Sequence, residues 1–190
     1  MKSFVHIVIA ASCLLMGTAA FAQAPTKLLP GQSEIAFVSK QMGVPVEGVF
    51  KKFDAQISLD PKKPEAGTVA FTIDTGSASL GIPQTDAELP KPEWFNAPKF
   101  PQASFQSGAI KGLGGGKFEV TGKLTIKGNV RDIVVPVSVT QSAGTSLASG
   151  SFTIKRLEFR IGEGDWGDTS IVANEVQVRF KLALTGLGPL

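Results

Sequence analysis

Histidine and cysteine, the side chains that most often act as base or nucleophile near neutral pH, occur once each, at His6 and Cys13, and tyrosine is absent. Both sit in a segment with the layout of a secretory signal. Lys2 gives a positive start, an apolar stretch runs from Phe4 to Ala20, and Ala20-Phe21-Ala22 places small residues at −3 and −1. Residues 1–22 are expected to be a cleaved signal peptide, leaving one domain over 23–190 in the periplasm or outside the cell. The apolar stretch is short for a membrane span, and Ala10-Ala11-Ser12 before Cys13 lacks the large aliphatic residue of a lipobox. The mature chain would then carry no imidazole, thiol or phenol, and its fold would rest on packing without a disulfide.

The remaining groups offer little chemistry. Zinc would find only carboxylates, and Glu163, Asp165 and Asp168 lack the spacing of an EF-hand calcium loop. No metal or cofactor is expected. Gly112–Lys117 lacks the Ser/Thr of a phosphate-binding loop and leads into a strand, so it reads as a hairpin turn. A serine hydrolase would need a base other than histidine, and no Ser-x-x-Lys leads into a helix. A carboxylate-dependent hydrolase of envelope glycans needs two carboxyls facing across a cleft; most of the sixteen acidic residues fall in turns or on the outward phase of strands. The net charge is +3, and Lys51-Lys52 and Lys62-Lys63 are only pairs, with no basic stripe for nucleic acid. No later apolar run is long enough for stable membrane insertion. Arg156, in Lys155-Arg-Leu-Glu-Phe159, sits where a strand runs into an insertion. It reads either as a rim salt bridge or as a polar contact for a ligand head group.

These residues must be positioned by strands, because period-two alternation dominates. Val176, Val178, Phe180, Leu182 and Leu184 alternate with Glu175, Gln177, Arg179 and Lys181. Segments 117–127 and 68–74 alternate likewise. Further strands are expected over 33–40, 46–59, 102–111, 131–141 and 146–156, with a bulge or strong bend near Phe50 and Phe53 where the apolar phase shifts. Hairpin signals at Gly112–Gly116, Gly128-Asn129 and Gly144-Thr145 join neighbours. Helical turns are expected only in the proline-rich connection 75–101, at Gln84–Leu89 and Pro92–Phe95. A second insertion covers Gly162–Asn174. About eight antiparallel strands without covering helices make a sandwich or a barrel. The inward phenylalanines either fill the core or line a cavity for one apolar ligand.

Several stretches, taken in order, resemble the YceI-like family of secreted, lipocalin-like polyisoprenoid-binding proteins. They are Gly31-Gln-Ser-Glu-Ile-Ala-Phe37; Gly43, Gly48, Phe50, Phe53 and Asp60; Asp86, Leu89, Trp94, Phe95, Phe100-Pro101 and Phe105; Gly122-Lys-Leu-Thr-Ile-Lys-Gly128 with Pro136-Val137; and Arg156-Leu-Glu-Phe159. The resemblance implies an all-β, eight-stranded antiparallel barrel with short helical turns in one long connection. It also implies a non-enzymatic role: holding a polyisoprenoid, prenyl quinone or fatty-acid derivative for transport, storage or scavenging. The apolar pocket would be Phe37, Phe53, Phe71, Ile73, Trp94, Phe95, Phe105, Phe118, Val120, Leu124, Val135, Phe152, Phe159, Val178 and Phe180, with Arg156 as polar rim. Gln32, Gln41 and Glu88 stand where many relatives have histidine, and Arg160 stands where they have glycine, so no role of those residues carries over. The alternatives are the carboxylate hydrolase and an interaction protein with a filled core. The oligomeric state, monomer or dimer, is left open.

Overall fold

The computed structural model describes residues 26–190. The expected signal peptide, with His6 and Cys13, lies outside the described residues. Eleven strands form one antiparallel sheet. They are β1 (Lys27–Leu28), β2 (Glu34–Gln41), β3 (Val44–Phe50), β4 (Phe53–Ser58), β5 (Thr68–Asp74), β6 (Ala78–Ser79), β7 (Gln102–Gly114), β8 (Lys117–Ile126), β9 (Asn129–Ser142), β10 (Thr145–Lys155) and β11 (Glu175–Thr185). The path runs β4-β5-β7-β8-β9-β10-β11-β2-β3-β6, with β1 attached to β11. It curls strongly round one apolar interior.

The count departs from the eight expected for two reasons. The stretch 46–59 is two strands, because the chain turns at Lys51-Lys52; two-residue strands at 27–28 and 78–79 add the rest. The ladder therefore does not close on itself in register. Strand β2 pairs with β3 only from Ala36↔Val49 to Gln41↔Val44, after which β4 leaves to pair with β5 from Phe53↔Ile73 to Ser58↔Thr68. A single bridge, Thr26↔Ile57, crosses the resulting seam near β1. The bend is pinned from β5 and the turn after it: the Lys51 amide donates to the Ser77 carbonyl, the Lys52 amide to Ser77 Oγ, and the Asp74 amide to the Lys52 carbonyl. Tight turns match the sequence signals, with Gly116, Gly128 and Gly144 at positive φ. The one α-helical turn among the described residues, α1 (Pro83–Asp86), starts on proline, whose fixed φ and missing N–H suit a first turn. Around Pro92–Phe95 the chain makes hydrogen-bonded turns rather than a helix.

Alternation works as expected along the long strands. Strand β8 buries Phe118, Val120, Gly122, Leu124 and Ile126, leaving Lys117 and Lys123 outside. Three inward rings lie over glycines of a neighbouring strand. Phe37 is opposite Gly48 and Phe180 opposite Gly150, while Phe105 reaches diagonally to Gly122. In each pair the ring stands well inside van der Waals contact of where a Cβ at the glycine would be. A ring can lie flat on the wall only where the wall has no side chain, so these pairs keep aromatic area in place without filling the middle.

Gly150→Ala would place its methyl group 2.6 Å from Phe180 Cζ and against the Pro136 carbonyl oxygen. Overpacking of this kind costs about 1–3 kcal/mol. Urea denaturation should show that loss, while a control, Gly31→Ala, which meets nothing within 4 Å, leaves the midpoint within experimental error.

Candidate functional site: an apolar interior closed by two insertions

The interior holds a cavity of about 200 Å³. Of its lining residues, only Ser104 carries a polar side chain. Pockets for drug-sized ligands run about 300–1,000 Å³, so this void is smaller than that class. Phe37, Phe50 and Phe95 form a row across it, with centroid separations of 5.4 and 5.7 Å. Of the fifteen residues picked from the sequence, all line the cavity except Phe53, Trp94 and Phe159. Phe53 sits at the seam, stacked 6.3 Å from Phe71. Trp94 packs outside the cavity against Trp166 at 5.5 Å. Phe159 is 1% exposed in a helical turn and belongs to the core of the end cap. Lining residues missed from the sequence include Ile35, Phe50, Ile110, Ile133, Ala148 and Leu182. All but Phe50 continue the inward phase of strands already recognised, which was the available signal.

One end is closed by the two insertions and the β8–β9 turn. Arg156 governs this closure, and its position corrects the sequence reading: it is not at a rim. It is 1% exposed, and all five of its N–H groups donate to main-chain carbonyls. Nε bonds Ala173 at 3.0 Å, Nη1 bonds Ile161 and Gly162 at 2.8 and 2.9 Å, and Nη2 bonds Trp166 and Val172 at 2.7 and 2.6 Å. No carboxylate pairs with it among the described residues, and burial pulls its pKa below the usual guanidinium value. Five N–H groups in a rigid fork suit this task, which lysine's three cannot do. Every donor is engaged, so none remains for a ligand head group.

Lys127 performs the companion task. It is 7% exposed and adopts a positive φ of 50°. Its Nζ donates to the Pro92 carbonyl from the first insertion, to the Arg160 carbonyl just before the second, and to Glu163 of the second at 2.8 Å. The amides of Gly162 and Glu163 both donate to the Glu93 carbonyl. Two of the three acidic residues of this loop, Glu163 and Asp168, are likewise engaged. Glu163 binds Lys127 and Arg160, and Asp168 accepts from the Ser170 amide and hydroxyl. No group of three or more potential metal ligands occurs among the described residues.

At the other end Leu59 and Leu187 line the cavity. Residues 186–190 fold over it, held by Gln141, whose Nε2 donates to the Gly188 carbonyl at 2.7 Å and whose Oε1 accepts from the Leu190 amide at 3.1 Å.

Two outcomes test this account of the end cap. Arg156→Met would strand five carbonyls and should cost about 3–5 kcal/mol, with hydrogen exchange accelerating first across 156–174. Glu163 is held below the usual carboxylate range, chiefly by its hydrogen bonds to Lys127 and Arg160. A depressed folded pKa gives stability present above the unfolded value, near 4.5, and lost as pH falls through the folded one. Melting curves of Glu163→Gln should therefore fall below the parent at pH 6–7 and converge with it on acidification below 4.5.

The comparisons with known proteins agree with this architecture. Residues 27–184 match the family model described as YceI-like domain. The crystal structure of Burkholderia cenocepacia BcnA is 46% identical, with a TM-score of 0.80 over 83% of this chain and 99% of that one. A polyisoprenoid binding domain from Saccharophagus degradans, implicated in plant cell wall breakdown, shares the fold at 20% identity and a TM-score of 0.70, over 85% of this chain and 98% of that one. Protein YceI of Salmonella arizonae is 36% identical over 88 residues, 46% of each chain, so the match spans about half the length of this curated relative.

Proposed function

This chain belongs to the YceI-like family, and we propose that it binds a long apolar lipid, holding the chain of a polyisoprenoid, prenyl quinone or fatty-acid derivative in its curled sheet. The observation that carries this reading is the interior itself: a void lined by aliphatic and phenyl groups, with Ser104 as its one polar side chain. Such a surface offers contact and no directed chemistry. The fold shared with a polyisoprenoid binding domain supports the same ligand class. Burying roughly 500 Å² of lipid surface would contribute about 12 kcal/mol. Ordering the tail and losing its free motion take back much of that, leaving micromolar or tighter binding.

Catalysis has little to work with. No histidine or cysteine lies in the described residues. The acidic side chains with lowered pKa values, Asp86, Glu163 and Asp168, are engaged in hydrogen bonds outside the cavity. With the signal-like segment 1–22, we place the protein in the periplasm or outside the cell as a carrier, store or scavenger.

Solvent extraction of the purified protein followed by mass spectrometry should release a chain lipid. In parallel, Ala148→Phe puts a ring into the cavity wall, where Ala148 is buried. It should weaken farnesol binding at least tenfold by calorimetry while the protein stays folded. No lipid extracted, together with farnesol affinity unchanged in Ala148→Phe, would remove the interior-binding reading.

A further inference from the structure

The seam between β2 and the β3–β4 bend opens a cleft of about 500 Å³ on the outside of the sheet. It is lined by Pro30, Ser33, Glu34, Val49, Phe50, Lys51, Lys52 and Phe53. Phe50 belongs to both sites: it lines the cleft and also the interior, where it packs on Phe37 and Phe95. At this break in the ladder, charged side chains stand beside a residue of the lipid cavity. The two ends do not offer this. At the cap end the Arg156 and Lys127 donors are engaged by carbonyls and Glu163. At the other, the lining side chains are Leu59 and Leu187.

We propose that this cleft is the head-group site of the bound lipid, and that the head group is an anion, a phosphate or carboxylate held by Lys51 and Lys52 with the tail passing Phe50 into the interior. The inference rests on the interior-binding reading and adds the chemical class of the ligand's polar end. A polar head left inside would lose its hydration with only Ser104 to replace it, so it must sit where the wall opens. The lysines are carried on a fixed bend, since both backbone amides are bonded to Ser77, which is buried. Neither ammonium forms an ion pair within 4.0 Å among the described residues. Two carboxylates temper the charge. Glu34 lines the same cleft, and Asp86 interacts electrostatically with Lys51, although its oxygens accept from Ser79 and Leu80. Within the lining itself two lysines stand against one carboxylate, Glu34, while the Asp86 charge acts on Lys51 from outside the lining. Ser33 Oγ is already used, donating to Leu29 and accepting from the Ala183 amide.

The test compares farnesyl phosphate with farnesol, and oleate with oleyl alcohol, by calorimetry at pH 8. The anionic member of each pair should bind about tenfold tighter at low ionic strength, and the ratio should shrink at 1 M salt, where the Debye length is about 3 Å. Lys51→Glu/Lys52→Glu should bring the ratio to one or below. Lys62→Glu/Lys63→Glu, which makes the same charge change on the connection between β4 and β5, should leave the ratio in place. Equal binding of charged and neutral members overturns the head-group assignment while interior binding stands. The same holds if both lysine-pair variants lower the ratio equally, since that would reflect overall charge. A preference for anionic vesicles without one for soluble anionic ligands makes the lysines a membrane contact and overturns the proposal too. If neither farnesol nor farnesyl phosphate binds, both this assignment and the interior reading fall.

Discussion

A curled sheet can satisfy its backbone along its length, but irregular chain must cross its ends, and the carbonyls there need donors. At the cap end of this protein one guanidinium meets that need. Arg156 gathers carbonyls from 161, 162, 166, 172 and 173, so the second insertion takes its shape around a buried side chain rather than from its own secondary structure. Lys127 then fastens this insertion to the first through Pro92. Both cations are matched mainly by carbonyl dipoles, with Glu163 the one carboxylate involved. Replacing either with an apolar side chain of similar size would leave the carbonyls without partners, the costly half of breaking a buried polar contact.

With the end fixed in this way, the interior can stay incompletely filled. A fold of this size gains its stability from apolar burial, and an empty lumen forgoes some of it. The phenylalanine–glycine pairs limit the loss. Each ring keeps its contact with the wall and withholds its volume from the middle. The same aromatic side chains therefore serve as core for the fold and as lining for a ligand, which is why composition alone does not separate a filled core from a cavity.

How much of this was legible in the sequence follows from the range of each signal. Alternation reports local geometry, so strands such as 68–74 and 117–126 were found nearly to the residue, and their inward side chains line the cavity. The phase shift between Phe50 and Phe53 was also visible, but whether it marked a bulge within one strand or a departure to a new partner depends on β5, which is remote in sequence. Two-residue strands at 27–28 and 78–79 have no periodicity to detect. Arg156 was singled out for its charge at a strand end, yet its role depends on five carbonyls that share no sequence pattern. Phe159 enters the expected pocket with the family resemblance, whereas β10 ends at Lys155 and a helical turn carries that ring into the cap.

The seam shows how one local choice constrains both fold and site. Continued pairing of β3 with β2 past Ala36 would close the wall there, but β4 is needed by β5, whose partner on the other side is β7. The chain cannot satisfy both, so the ladder opens. An open edge invites another strand, and a lysine pair at the bend disfavours such addition whatever the interior holds. Edge protection alone, however, asks only for charge pointing to solvent. It does not require that the charges share a cleft with Phe50, a residue that also lines the lipid cavity. That coincidence of a polar opening and an apolar lining residue makes the seam, rather than either end, the place where a lipid with one charged end could be accommodated along its whole length.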